Sequence, residues 1–449
     1  MALARPGMAV VASPDTPEAW EEAVASLAPS PGGGLGALVP VGGLPDGVTA
    51  GVVAEEAGAR LLAGCLERRG VPTGALGDAR LWAVQAALQR AANGPVAVVG
   101  LAGSGPGVLC STPAPPTAVP EGLGSSAALA LAVLGEWVAA SGAREVLLAA
   151  PRSFCAGVER AIEIVERALE RFGPPVYVRR QIVHNQHVVA ELEAKGAVFV
   201  EEVEEVPPGA TVVLAAHGVA PAVREQAEAR AGVVVDATCP LVAKVHREAR
   251  RFAAEGRQVV LVGHADHEEV QGTVGEIEGR VQVVASPEEV AELPFGPEEP
   301  LAYLTQTTLA LDETAEVLAA LRARFPGIVG PSADDICYAS QNRQDAVRAL
   351  ARRADLVVVV GSENSSNTAR LVEVAQRSGC PAELVEDDGD LDPRWLAGRR
   401  RVGVTAGASA PERLVQAVVG ALGSLGPLTV REVRTAEEHV RFTLPRKVR

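Results

Sequence analysis

The chain has 449 residues, of which 48% are hydrophobic and only 3% aromatic, and it carries a formal charge of −15 at pH 7. That length suffices for roughly three or four ordinary domains, with cores built mainly of Val, Ala and Leu. The acidic balance, unrelieved by any basic cluster, excludes a nucleic-acid surface and leaves an anionic substrate to be held by local groups.

Residues 1–143 differ in composition from the rest. They contain no Lys, His, Phe or Tyr, and their only aromatic residues are Trp20, Trp82 and Trp137. Apolar runs predict strands near 8–12, 51–53 and 96–101, and helical patterns fall at 16–27, 55–69 and 78–91, which together read as a small α/β domain. The run at 8–12 is too short for a signal-peptide core, and the apolar run at 127–135 is far below spanning length. The expectation is a cytoplasmic protein with no membrane segment. Gly103-Ser104-Gly105-Pro106-Gly107 reads as a plain loop: no Lys-Ser or Lys-Thr follows it, and Pro106 removes a backbone donor. Cys65 falls in a helical pattern as a core residue and Cys110 in a loop. Six cysteines in a long cytosolic chain do not make a disulfide framework; metal binding or catalysis is the better reading for those that matter.

From Ala143 onward strands and helices alternate as in a mainly parallel sheet. Three units are expected, with approximate lobes 144–232, 233–310 and 311–449. The first takes strands near 145–150, 176–178, 198–200 and 211–215. The second takes 233–236, 258–262, 281–284 and 301–304. The third takes 356–360, 383–385 and 401–404, with helices at 314–324, 342–351, 368–377 and 412–422, and the tail from Val430 is a final strand or loop. The strand at 145–150 runs straight into Pro151-Arg152-Ser153-Phe154-Cys155-Ala156-Gly157, which presents Cys155 between a strand end and a helix start. Open α/β sheets place their chemistry there, and the partial positive charge of a helix N-terminus favours a thiolate over a thiol. Cys239 in Asp236-Ala237-Thr238-Cys239-Pro240 and Cys337 in Asp335-Ile336-Cys337-Tyr338 occupy comparable junctions, so one cysteine per unit faces a shared centre; Cys380 shares part of that local look.

A buried cysteine taken alone is usually inert. Three at element junctions suit either a zinc ion or a four-iron cluster with one iron left open, and spacing does not choose between them. His184, His217, His264 and His267 lie at predicted strand ends or in loops, where imidazoles hold anions; His264-x-x-His267 is short for a helical metal pair. Glu268 and Glu269 share the loop of His267, and burial of one of them would raise its pKa toward neutrality and make it a proton donor. Gly361-Ser362-Glu363-Asn364-Ser365-Ser366-Asn367-Thr368 follows an apolar strand and opens a helix, an arrangement that suits phosphate as well as an ordinary N-cap. Thr305-Gln306-Thr307-Thr308 and Thr405-Ala406-Gly407-Ala408-Ser409-Ala410-Pro411 are further polar strand ends.

Taken in order with Val183-His184-Asn185, Ala216-His217-Gly218 and Gly263-His264-Ala265-Asp266-His267-Glu268-Glu269, these motifs resemble the 4-hydroxy-3-methylbut-2-enyl diphosphate reductase family from about Val146 to about Val440. The resemblance implies a three-lobed α/β trefoil of parallel-sheet units around a central iron–sulfur cluster, preceded by the small α/β domain of residues 1–143. That N-terminal domain itself faintly resembles a nucleoside-phosphorylase-type domain and has no assigned role. The resemblance further implies that Cys155, Cys239 and Cys337 hold a [4Fe-4S] cluster with one open iron. It implies that His184, His217, His267, Ser365, Ser366, Asn367 and Ser409 surround the substrate diphosphate, that Thr307 lies near the substrate hydroxyl, and that Glu269 relays protons. Ser340 stands where relatives often carry Thr, and it keeps the hydroxyl. The implied reaction removes an allylic hydroxyl with two electrons and two protons in the last step of non-mevalonate isoprene biosynthesis. Ferredoxin or flavodoxin is the implied electron donor, with no nucleic-acid or membrane partner. Rival readings are a non-redox dehydratase resembling quinolinate synthase, a cluster-bearing sensor and a zinc hydrolase. Motif order weighs against the first, Glu269 with the phosphate loop against the second, and metal analysis separates the third.

Overall fold

A computed structural model describes residues 142–277 and 279–449 throughout, together with 7–13, 37–41, 50–54, 61, 65, 68, 96–102, 110–111, 136 and 139–140. The N-terminal segments form their own five-stranded sheet from β1 (Gly7–Ser13), β2 (Ala37–Val41), β3 (Ala50–Ala54), β4 (Val96–Ala102) and β5 (Cys110–Ser111), ordered β2-β3-β4-β1-β5. Three of these strands fall where apolar runs predict them. Strand β2 carries Pro40, which weakens its signal, and it lies at the sheet edge where a missing donor is tolerated. Cys110 sits in β5, paired with β1, rather than in a loop. The helical patterns at 16–27 and 78–91 and the loop at 103–107 lie outside the described residues. Of the 55–69 pattern, Leu61 and Cys65 are helical and buried.

The remainder is three parallel sheets, each covered by helices. The first is β7 (Val176–Arg179), β8 (Ala197–Val200), β9 (Thr211–Leu214) and β10 (Val233–Asp236), ordered β10-β9-β7-β8. The second is β11 (Gln258–Val262), β12 (Val281–Val284) and β13 (Leu301–Thr305), ordered β12-β11-β13. The third is β14 (Leu356–Val360), β15 (Ala382–Val385), β16 (Arg401–Ala406), β6 (Arg144–Ala150) and β17 (Leu428–Arg434), ordered β15-β14-β16-β6-β17. Strand β14 reads Leu-Val-Val-Val-Val and is buried at every position, the pattern of a strand covered on both faces.

The helices are α1 (Ala156–Phe172), α2 (Gln186–Ala194), α3 (Pro221–Arg230), α4 (Pro240–Ala254), α5 (Glu268–Gly275), α6 (Pro287–Glu292), α7 (Leu311–Arg324), α8 (Tyr338–Ala351), α9 (Ser366–Arg377), α10 (Pro393–Leu396) and α11 (Glu412–Ser424). Helix α1 buries Ala161, Ile164, Val165 and Ala168, one face at helical spacing, against Val176, Val178, Val213 and Val235 of the first sheet. Helix α4 buries Val245, Ala249 and Phe252 against Val259 and Leu261 of the second. Helix α8 buries Ala346, Val347 and Leu350 against Leu147, Val357 and Val359 of the third. Among the described residues no helix is long and apolar enough to cross a membrane.

Strand and helix membership departs from the sequence expectation in three places. The strand at 145–150 sits in the third sheet, between β16 and β17, not in the first unit. The strand at 233–236 pairs with β9 and closes the first sheet rather than opening the second. Helix α7 packs Val317 and Leu321 on Val260 and Leu301 of the second sheet, not in the third unit. The physical reason is common to all three. In a parallel sheet consecutive strands need not be neighbours, and local composition does not say which sheet an apolar strand joins. Leu321→Ala, at a fully buried position, is expected to destabilise the chain by about 3 kcal/mol. Hydrogen exchange should accelerate selectively in β11 and β13, with β14 and β16 unchanged.

Candidate functional site

The chain passes between lobes at three junctions, and a cysteine caps the helix that opens each new lobe. Cys155 follows β6 of the third sheet and caps α1 of the first lobe. Cys239 follows β10 of the first sheet and caps α4 of the second. Cys337 follows the second lobe and caps α8 of the third. Each cysteine N–H is tied to a strand-end carbonyl: Cys155 to Ala408 at 3.3 Å, Cys239 to Ala216 at 2.9 Å and Cys337 to Thr307 at 3.0 Å. The three acceptors lie at or beside Ser409, His217 and Thr307, so the backbone couples the thiol positions directly to the polar loops.

The thiols point into one cavity of about 110 Å³. A Cβ built on Gly157 would lie 2.7 Å from Cys239 Sγ and 3.8 Å from Cys155 Sγ, so only glycine leaves room where α1 passes the sulfurs. Helix N-termini favour thiolates, but burial wins here: it pushes Cys239 up to about 12 and, aided by Cys155, Cys337 up to about 11. Ser340 donates its N–H to Cys337 Sγ at 3.4 Å, and its hydroxyl lies 3.2 Å from the same sulfur. Without a cationic centre Cys239 and Cys337 stay protonated and unreactive.

Glu269, on the first turn of α5, is 2% exposed. Thr307 donates its N–H to Glu269 Oε1 at 2.7 Å and its hydroxyl to Oε2 at 2.8 Å. Those bonds favour the carboxylate, yet burial outweighs them and raises the group to about 6. The neighbouring Glu268 separates from it: its carboxylate turns toward His217 Nδ1 at 3.4 Å and Arg180 at 3.7 Å, and its pKa is lowered by His217 despite burial. Two adjacent acids therefore have opposite charge preferences.

Three imidazoles form one wall. His184 stacks on His217 with centroids 4.0 Å apart, and His267 meets both edge-on at 5.7 and 5.9 Å. Burial, and then the adjoining His217, push His184 down to about 3 and His267 down to about 4, so both are neutral donors or acceptors at pH 7. The opposite wall is the N-terminus of α9. Its cap Ser365 lies 3.3 Å from the Ser409 hydroxyl, Asn367 accepts from Ala408 N–H at 2.8 Å and donates to Ser340 at 3.3 Å, and Ser366 meets Thr308 at 3.1 Å. Gly361 enters this turn at φ +151°, where a Cβ would fall 2.6 Å from the Thr368 hydroxyl.

Cys155, Cys239, Cys337, His184, His217, His267, Glu269, Thr307, Ser365, Ser366, Asn367 and Ser409 all line this one cavity, and among the described residues its lining contains no Lys or Arg. His264 is set apart, bonded to Arg370 at 2.6 Å in an adjoining outer cavity. Sequence reasoning missed Phe442, which the C-terminal tail brings into the lining. It also missed Arg343, fully buried and bonded to Ser153 O at 2.7 Å. A single basic residue inside an amphipathic helix carries no mark of burial.

A family model described as LytB protein matches residues 146–423. The chain is similar to 4-hydroxy-3-methylbut-2-enyl diphosphate reductase of Acidothermus cellulolyticus, 58% identical over 68% of this chain and 90% of that one. It is 54% identical to the enzyme of the same name from Zymomonas mobilis, again over 68% and 90%. The solved structure of the E-1-hydroxy-2-methyl-but-2-enyl-4-diphosphate reductase from Plasmodium falciparum is similar at 37% identity and TM-score 0.66, covering 68% of this chain and 97% of that one. The chain belongs to the LytB protein family, alongside these diphosphate reductases.

Proposed function

We propose that the chain reduces 4-hydroxy-3-methylbut-2-enyl diphosphate to isopentenyl and dimethylallyl diphosphate, the last step of non-mevalonate isoprene biosynthesis. The reaction takes up two electrons and two protons, breaks the allylic C–O bond and releases water. The observation that carries this reading is one cavity with three thiols at its base, a protonatable carboxyl beside them, and imidazole, hydroxyl and amide groups around it.

The thiol set fits a [4Fe-4S] cluster. Gly157 opens the space beside two sulfurs, and thiols this buried become thiolates when a cationic centre binds them. Three cysteine ligands leave one iron of four open. When bound, the cluster supplies electrons and a Lewis-acidic site for the substrate hydroxyl.

The chain's own residues do the rest. The N-terminus of α9, with Ser365, Ser366, Asn367 and Ser409, offers backbone and side-chain donors to a diphosphate. His184, His217 and His267 close over it from the other wall. Glu269, raised to about 6 by burial, takes up a proton more readily than an ordinary carboxylate and passes it from Oε2 through the Thr307 hydroxyl 2.8 Å away to the departing oxygen. Burial of the cavity excludes bulk water from the allylic fragment. A ferredoxin or flavodoxin in the cytoplasm supplies the electrons.

Glu269→Gln keeps the shape and the Thr307 contacts but removes the proton. In anaerobic assays with a chemical reductant its kcat should fall by at least about 10²-fold, with iron content unchanged. Full turnover by that variant would remove Glu269 from the mechanism. The same group makes stability depend on pH. Its folded pKa of about 6 exceeds the ordinary value of 4.5, so the folded state binds its proton more tightly than the unfolded chain does. The stability this contributes is complete below pH 4.5 and lost as pH rises through 6, about 2 kcal/mol in all. Urea denaturation should show Glu269→Gln gaining on wild type by that amount between acid and neutral pH.

A further inference from the structure

Each turn that ends in one of the three cysteines is gripped by a basic side chain from the helix that another of the cysteines opens. Arg160, on the helix capped by Cys155, donates through Nη1 to the carbonyls of Ala237 at 3.2 Å and Thr238 at 3.1 Å, directly before Cys239. Lys244, on the helix capped by Cys239, donates through Nζ to the carbonyls of Ala333 at 2.7 Å and Asp334 at 3.0 Å, and pairs with Asp335 at 3.0 Å, just before Cys337. Arg343, on the helix capped by Cys337, donates to the carbonyls of Ser153 at 2.7 Å and Phe154 at 3.2 Å, directly before Cys155. The relation runs from the first cysteine to the second, from the second to the third, and from the third back to the first. Arg160, Lys244 and Arg343 stand five, five and six residues after their own cysteines, about one and a half turns into the helix.

This closed cycle is more than packing requires. Three full positive charges are set around a cavity whose lining, among the described residues, has no Lys or Arg. Two of them are partly balanced, Lys244 by Asp335 and Arg343 by Glu438 at 3.0 Å. Arg160 has no carboxylate at ion-pair distance among the described residues. Each cation donates to backbone carbonyls of a cysteine turn, and its other bonds hold it in place: Arg160 to Thr443 O at 2.9 Å, Lys244 to Asp335, and Arg343 to Ala339 O at 3.0 Å and Glu438. A group held by three thiolates carries net negative charge, and cations a few bonds outside it stabilise both its binding and the arrival of an electron.

We propose that Arg160, Lys244 and Arg343 are positioning residues that form a cyclic clamp, locking the three cysteine turns to one another and raising the reduction potential of the group the cysteines hold. The proposal rests on the reading of the cavity as an iron–sulfur site. Its test uses the full chain, purified anaerobically, as wild type and as Arg160→Gln, Lys244→Gln, Arg343→Lys and Arg343→Gln. Arg167→Gln is the control, an exposed arginine of α1 that pairs only with Glu163 and Glu170. The readouts are iron and sulfide per chain, the rate of iron loss to a chelator, and the midpoint potential from a redox titration followed by electron paramagnetic resonance.

The three Gln variants should lose iron about 10- to 100-fold faster than wild type and show more negative midpoints, with Arg167→Gln unchanged. Arg343→Lys, which keeps the charge but not the fork of donors, should loosen the iron while holding the potential near that of wild type. Arg160→Gln and Lys244→Gln alter partly exposed side chains, so they carry the test if Arg343→Gln does not fold. Wild-type protein without iron and sulfide would overturn the cluster reading and the clamp with it. Wild type with a cluster, and folded Gln variants matching it in both chelator rate and potential, would overturn the clamp alone.

Discussion

Three crossings of the chain between lobes meet at one place, and everything else in the site follows from that constraint. Each crossing ends a strand or loop of one lobe and starts a helix of the next, with Cys155, Cys239 or Cys337 as the cap residue. The cysteine N–H groups are fixed to carbonyls beside Ser409, His217 and Thr307. The residues proposed to receive a diphosphate and those proposed to hold the cluster are thus anchored to the same peptide groups. A shift of one lobe would displace a thiol and a substrate contact together.

The electrostatics of the cavity are unusual for an anion site. The chain is strongly acidic and, among the described residues, the lining has no Lys or Arg. On the proposed reading, recognition falls to the N-terminus of α9, to hydroxyls and amides, and to three imidazoles of which two are held neutral by burial. Such a site attracts by directed dipoles, and full positive charge is displaced to the back of the cysteine turns. Burial sets the chemistry in the opposite sense at Glu269. It raises that carboxyl to about 6, while Glu268, one residue away, is held below its ordinary value by His217. A single helix turn directs the two acids into different surroundings.

Much of this was legible in the chain of residues. A strand followed by small residues and then a helical pattern marked Cys155 and Cys239, and polar strand ends marked His217, Thr307, Ser365 and Ser409. These are local signals, and local signals survive folding. Lobe membership was not legible, because β6, β10 and α7 carry apolar patterns that fit any of three similar sheets. The burial that raises Cys239 and Cys337 was not legible for a related reason. A helix N-terminus can be seen in sequence, whereas the burial that overrides it comes from all three lobes at once. Phe442 and Arg343 belong to the same class, since their partners lie far away along the chain.

The most direct test of the account is a Mössbauer spectrum of protein reconstituted anaerobically with ⁵⁷Fe, before and after addition of the allylic diphosphate. Three cysteine ligands on a four-iron cluster predict one iron site distinct from the other three, and a change confined to that site when substrate is added. Four indistinguishable irons, or a spectrum that substrate leaves unaltered, would contradict the view that the three helix-capping cysteines hold a cluster with one position open to the substrate.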